Sequence, residues 1–182
     1  MSAPNRSDAR RNREKLLQVA TSAFAAAEGR PVSLESIARE AGVGIGTLYR
    51  HFPTRDALVE AIYRAELAEV VAEADRLVRR HPPKIALRHW MDRYAGFVAA
   101  KKGMADSLRA MVESGAVEIS EMHARIVAAT DTLLRAGADE GSLRSDVSAE
   151  DVVSSLIGIF LVSSSPEQTG RMLDLLLAGI AR

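Results

Sequence analysis

The sequence predicts an all-α fold of nine helices, with a three-helix N-terminal domain and a larger helical domain behind it. Three observations carry the prediction. Apolar residues recur at intervals of three and four along the long segments, the spacing that gathers side chains on one face of a helix. Strict apolar–polar alternation, the mark of a half-buried strand, fails in every window. The firmest breaks, at Gly29 with Pro31, at Pro53-Thr54 and at His81-Pro82-Pro83, fall between the periodic segments.

Residues 1–7 are expected to be loosely ordered. A first helix is expected over about 8–28, with Leu16, Leu17, Ala20, Ala23, Phe24 and Ala27 as its apolar stripe and Gly29 and Pro31 as its stop. Ser33 then offers an N-cap for a helix over about 34–41, with Ile37, Ala38 and Ala41 behind it. Gly42 follows the last apolar position and suits the left-handed residue that ends a helix. A second short helix over 45–51 opens on small residues, Gly44, Ile45, Gly46 and Thr47. Two glycines there cost stability, about 1 kcal/mol each in a helix interior, which is accepted where a backbone must come close to another surface. Thr54 caps a long helix over 55–80.

Beyond the Pro82-Pro83 break, helices are expected over about 84–100, 104–113 and 117–135, separated by Lys101-Lys102-Gly103 and Ser114-Gly115. The stretch 137–147, GADEGSLRSDV, reads as loop. Ser148-Ala149-Glu150-Asp151 resembles a capping box with Asp in the usual Glu place, opening a helix to about Ser163, and Ser165-Pro166 opens the last helix, to about Ile180. The domains are expected at 1–53 and 54–182.

Length and charge narrow the function. The chain has 182 residues, with 24 Lys and Arg against 24 Asp and Glu, which argues against coating nucleic acid by bulk charge. The charge is uneven: residues 1–15 hold five cations against two carboxylates, a basic arm suited to touching a polyanion at one end. With no cysteine there is no disulfide frame and no Cys-based zinc site. No apolar run reaches 18 residues, and the polar, Arg-rich start is not a secretory signal, so no membrane partner and a cytoplasmic location are expected.

The stretch 32–63 resembles the DNA-binding half of the TetR family of transcriptional repressors. Ile37-Ala38, Ala41-Gly42-Val43, Gly46-Thr47-Leu48-Tyr49, His51-Phe52 and Arg55-Asp56-Ala57-Leu58 carry the likeness. The resemblance implies that contacts to double-stranded DNA cluster on the recognition helix and its flanks: Val43, Gly44, Ile45 and Gly46, then Thr47, Tyr49, Arg50 and His51. Thr47 and Tyr49 bring hydroxyls, Ile45 an apolar surface for a thymine methyl, and Arg50 a fork that suits guanine. His51 matches a phosphate-contacting position of the family. Ser33, Thr54 and Arg55 stand at helix N-termini, where backbone N–H groups favour phosphate. Arg6, Arg10 and Arg11 are placed to reach phosphates or a minor groove. Plainer readings stand beside these. Leu48 and Phe52 are expected in the core, Tyr49 packing its ring on the first helix, Gly44 and Gly46 serving helix packing, and Arg50 as a solvated face.

For the second half the resemblance implies ligand binding and dimerisation. Candidate lining for an unknown small-molecule effector is Trp90, Met91, Tyr94 and Phe97 on one helix, Met104, Leu108 and Met111 on the next, and Met122, His123 and Phe160 beyond. The same residues suit an ordinary core. The last two helices are apolar around most of their circumference, which calls for cover on every side; a second copy supplies it most simply. The interface residues expected are Val153, Leu156, Ile157 and Phe160 with Met172, Leu173, Leu176, Leu177 and Ile180.

Catalysis finds no support. His51, His81, His89 and His123 have no metal spacing, and neither a Gly-rich phosphate loop nor a nucleophile elbow is present. No catalytic residue, cofactor or metal is expected. The reading is a ligand-responsive, sequence-specific regulator that binds a pseudo-palindromic operator as a homodimer and is released by a small molecule. The alternatives are a helical protein-interaction module without DNA binding, or an activator of the same family.

Overall fold

The computed structural model describes residues 6–27, 30, 32–101, 104–113, 115 and 119–182. Among them the chain forms nine helices: α1 (Arg6–Ala26), α2 (Leu34–Glu40), α3 (Ile45–His51), α4 (Arg55–Arg80), α5 (Pro83–Lys101), α6 (Ala105–Glu113), α7 (Ile119–Glu140), α8 (Ala149–Val162) and α9 (Pro166–Ile180). The stop expected at Gly29 and Pro31, the break at Lys102-Gly103, the helix start at Val117, and the side chains of Arg6 and Met111 lie outside what is described.

The chain divides into two compact units, 1–65 with 100–117 and 66–99 with 118–182. In the first, α1, α2 and α3 pack on the start of α4. Leu16, Ala20 and Phe24 of α1 meet Ile37 and Ala38 of α2, Leu48 of α3 with Phe52 behind it, and Leu58, Val59 and Ile62 of α4. Met104 joins this core and Leu108 packs against it.

The second unit is built around α5. Ala86, Leu87, Trp90, Met91, Tyr94 and Phe97 are buried along it. The buried indole satisfies its N–H by donating to the carbonyl of Val70 on α4 at 2.9 Å. Trp90 stacks on Tyr94 with ring centroids 5.4 Å apart, and the Phe160 ring of α8 meets Tyr94 edge-on at 5.4 Å. Arg88 Nε donates to Asp174 on α9 at 2.6 Å, and Arg93 pairs with Glu66 on α4 at 2.7 Å.

Two elements depart from expectation. Residues 137–140, read as loop, are the last turn of α7. The helix ends one step later at Gly141, whose φ of +86° is the left-handed conformation. Ser142 N–H reaches Gly137 O at 3.0 Å and Gly141 N–H reaches Ala138 O at 3.1 Å, the paired bonds of a Schellman end. Gly137 makes room instead. A Cβ there would stand 2.3 Å from Leu143, which folds back onto the helix and is fully buried. The expected capping box at α8 does not form. Ser148 is the N-cap, with extended φ and ψ, but its side chain makes no cap bond. Asp151 is one methylene shorter than the Glu of that motif, and Glu150 instead lies 2.6 Å from His123 Nε2 on α7.

Lys101, in the last turn of α5, is largely buried, with Nζ 5.3 Å from the Tyr63 ring centroid. Burial pulls its pKa down to about 8. An unfolded lysine titrates near 10.4, so between these values the unfolded chain binds more protons, and this group's contribution to stability rises with pH across that window. Lys101→Met is therefore expected to stabilise the protein at pH 7 by on the order of 1–3 kcal/mol. Thermal or urea unfolding should show that gain shrinking as the pH rises from 8 past 10. A gain of constant size across that range contradicts the assignment.

Candidate nucleic-acid interface

The site is the face of the first unit that carries α3, and its geometry begins with α2. Ser33 is extended (φ −82°, ψ 126°) and its Oγ accepts from Ser36 N–H at 3.3 Å, capping α2 as expected. The same hydroxyl donates to Glu35 at 2.9 Å. That bond and one from the backbone N–H of Glu35 hold its carboxyl below the usual range, the backbone bond contributing more. The Ser33 hydroxyl is thus committed within α2.

Gly42 ends α2 at φ +70°. Val43 N–H bonds Ala38 O at 2.9 Å and Gly42 N–H bonds Arg39 O at 3.0 Å, again the Schellman pair. The half-buried Val43 side chain then packs on the core, which fixes the direction in which the chain leaves the turn. That packing places Val43 as a support for the turn.

α3 follows with Gly44 as an extended N-cap that offers no side-chain cap. Leu48 is fully buried and Phe52 nearly so, as expected of core residues. On the other side Ile45 and Tyr49 are exposed, at 37% and 44%. A Cβ added at Gly44 or Gly46 would meet nothing within 4 Å, so neither glycine is there to let another element pack closely. The first turn of α3 has two positions without side chains and open space in front of them. Tyr49 keeps 44% of its surface exposed, on the same side of α3 as Ile45 one turn before it. Arg50 is exposed and makes no ion pair among the described residues, while Thr47 and His51 are half-buried at the margins.

At the next helix start Thr54 Oγ1 accepts from Ala57 N–H at 3.0 Å. Arg55 is half-buried. Its Nη1 donates to Val32 O at 2.8 Å, and its guanidinium lies 5.0 Å from the Phe24 ring centroid. The basic arm is helical from Arg6 onward: Arg10 pairs with Glu14 at 3.7 Å and Arg11 with Asp8, all on the exposed side of α1. Arg13, which sequence reasoning did not single out, lies over the Phe52 ring at 5.2 Å. No spacing rule points to the aromatic partners of Arg13 and Arg55, because both contacts join different helices.

The other predicted sites distribute differently. Trp90, Met91, Tyr94 and Phe97 are buried together in the second unit, while Met104 and Leu108 pack with the core of the first. Open depressions run along α9 at Gln168, Arg171, Met172, Asp174 and Leu175, and at Val147, Asp151, Ser155, Leu176 and Gly179 beside α8; neither touches those residues. Of the expected interface, Val153, Leu156 and Leu173 are fully buried within this chain, and Ile180 and Leu177 nearly so. Each helix spends its best three-and-four stripe on its own core. What stays exposed is the remaining side: Leu161 at 80%, Leu175 at 74% and Val162 at 67%, with Ile157 beside them. Phe160, Met172 and Leu176 are half-buried at its edge. The phase of the wheel, Val152, Val153, Leu156 and Ile159 inward, leaves Ile157 and Leu161 four apart on the outside, and that signal is present in the sequence.

No helix among the described residues is long and apolar enough to cross a membrane, and no group of three His, Cys, Asp or Glu is placed to hold a metal.

Comparison with known proteins agrees with this geometry. Residues 16–62 match the bacterial regulatory proteins of the tetR family, and residues 82–182 match the C-terminal domain of SbtR-like transcriptional regulators. A TetR transcriptional regulator from Streptomyces coelicolor is 45% identical, with 93% of this chain and 98% of that one superposed at a TM-score of 0.83. A TetR regulatory protein from Mycobacterium vanbaalenii is 32% identical over 97% of this chain and 99% of its own, at 0.76. An HTH-type transcriptional regulator of Staphylococcus aureus (strain USA300) is 36% identical over 62 residues, so the chain matches about a third (34%) of the length of such curated relatives. The chain belongs to the TetR family of transcriptional regulators.

Proposed function

We propose that this regulator, which like its family is not an enzyme, represses transcription by binding a pseudo-palindromic operator as a homodimer and leaves it when a small molecule binds. The observation that carries the reading is the uncovered start of α3, where Gly44 and Gly46 flank the exposed Ile45 and leave the backbone bare beside it and Tyr49. A helix entering the major groove reads with its N-terminal residues, and a bare backbone approaches base edges closely. Ile45 then meets a thymine methyl, Tyr49 and Thr47 donate to phosphate or base, and Arg50 is free to fork onto guanine. His51, Arg10 and Arg11 supply phosphate contacts at the rim. Residues 1–53 act as the reading half and 54–182 as the regulatory half.

A second copy is the natural cover for the exposed stripe of Ile157, Leu161, Val162 and Leu175 on α8 and α9. Two reading heads related by a twofold axis require half-sites about one helical turn or more apart. The effector acts by favouring one spacing of the heads over another through the continuous helix α4, and only a ligand with unequal affinity for the two states can do this.

Selection of bound duplexes from a random pool, followed by titration of the best at several salt concentrations, tests the reading. The selected duplex should be a pseudo-palindrome, and log affinity should fall with log salt at a slope of roughly −4 to −8, as for about 5–9 phosphate contacts. A flat salt response rules out binding through the phosphate backbone. Tyr49→Ala should lower affinity roughly tenfold or more, while circular dichroism and sedimentation stay those of the folded wild type. Unchanged affinity removes Tyr49 from the interface.

A further inference from the structure

We propose that Arg55 is a positioning residue, a clasp that closes the two ends of the helix-turn-helix, and not a phosphate contact. The inference rests on the DNA-binding reading above. Arg55 opens α4, three residues after Phe52, the residue that ends α3, and its Nη1 donates to the carbonyl of Val32, the residue before the N-cap of α2. That bond joins positions 23 apart in the chain, and everything between them is the reading motif: cap, α2, turn, α3. The guanidinium also lies 5.0 Å from the ring of Phe24, a nearly fully buried residue of α1. One planar cation therefore ties the body of α1, the entry to α2 and the start of α4.

The location is otherwise a poor one for a cation. The first turn of a helix carries partial positive charge, so an arginine there gains nothing from α4 itself. Its half-buried position and two partners account for it instead. α3 has only Leu48 and the following Phe52 buried in the core, so its tilt depends on how its neighbours are held. The Schellman turn at Gly42 and Val43 sets the approach from α2, and the clasp fixes the exit into α4 against the same frame. Lysine keeps the charge but has no flat fork that can stack on a ring while donating in plane to a carbonyl.

Arg55→Lys and Arg55→Gln separate a clasp from a phosphate contact. Both are compared with wild type on the tightest duplex selected from a random pool and on a shuffled duplex of the same composition, at a temperature where dichroism shows full folding. The clasp predicts that Arg55→Lys loses roughly tenfold on the selected duplex, the size of one net hydrogen bond and a cation–π contact. It predicts binding to the shuffled duplex within about twofold and an unchanged salt slope, because charge is retained. In the free protein, amide exchange across 34–51 should speed up. Wild-type affinity for Arg55→Lys, with Arg55→Gln losing affinity on both duplexes and about one unit of salt slope, overturns the clasp in favour of a phosphate contact. Unchanged exchange in the free variants overturns it as well. If the Arg55 variants do not fold, Phe24→Leu removes the ring beside the guanidinium together with some core volume, so it is read against Ile62→Val, which trims the same core without touching the clasp; exchange across 34–51 should speed up and discrimination fall more in Phe24→Leu, and equal effects of the two count against the clasp. Failure of the wild type to bind any duplex sinks the DNA reading alone, since the exchange measurement needs no DNA.

Discussion

The burial of Leu48 and Phe52 is the constraint on which the reading head depends. α3 is seven residues long, and helices of that length are not stable in water by themselves. Two glycines at its start weaken it further. It exists because Leu48 is wholly removed from solvent and Phe52 almost so, against Leu16, Phe24 and Leu58, each burial worth about 1.5–3 kcal/mol. The side of α3 that holds it to the protein and the side offered outward are therefore opposite faces of two turns. Stability is drawn from one face, and the other is left free to be poor in side chains. The Schellman turn at Gly42 and the Arg13 and Arg55 contacts to Phe52 and Phe24 hold the same small core from its edges.

The second unit solves a related problem with larger elements. α5 is apolar enough to be covered along its length, and it is covered by its own chain: Trp90, Tyr94 and Phe97 stack in series, with the one indole N–H satisfied by the Val70 carbonyl. α8 and α9 are apolar on more sides than this chain covers. Their inward stripes complete the core, and their outward residues Leu161, Val162 and Leu175 remain largely exposed. The C-terminus is pinned to this unit by paired bonds, Arg144 N–H to Ile180 O and Arg182 N–H to Ser142 O, which fix the end of α9 and with it that outward stripe.

Much of this is legible in the sequence, and the failures have physical causes. α3 and α4 begin and end where caps, glycines and Pro53-Thr54 place them, because those signals are local and strong. The end of α7 is hidden because Gly137 looks like a breaker; its purpose, room for Leu143, is a contact made only after the chain folds back. Hydropathy puts inward residues such as Val153 and Leu173 and outward or marginal ones such as Ile157, Phe160, Met172 and Leu176 into one expected interface, since it marks how apolar a position is and not which side of a helix finds its cover within the chain. The split of the aromatic and methionine residues between two units, Trp90 and Tyr94 in one and Met104 in the other, follows from packing between distant segments, which no spacing encodes. Arg55 is legible as a motif residue but not as a clasp, because a backbone carbonyl 23 positions away leaves no mark on composition.

Recognition through the bare first turn of α3 is tested most directly by following backbone amide shifts as the selected duplex is added to isotopically labelled protein. The largest perturbations should fall on Gly44, Ile45, Gly46, Tyr49 and Arg50, with Ile157, Leu161 and Leu175 unmoved. Perturbations concentrated away from α3, with Gly44 and Gly46 silent, would contradict it.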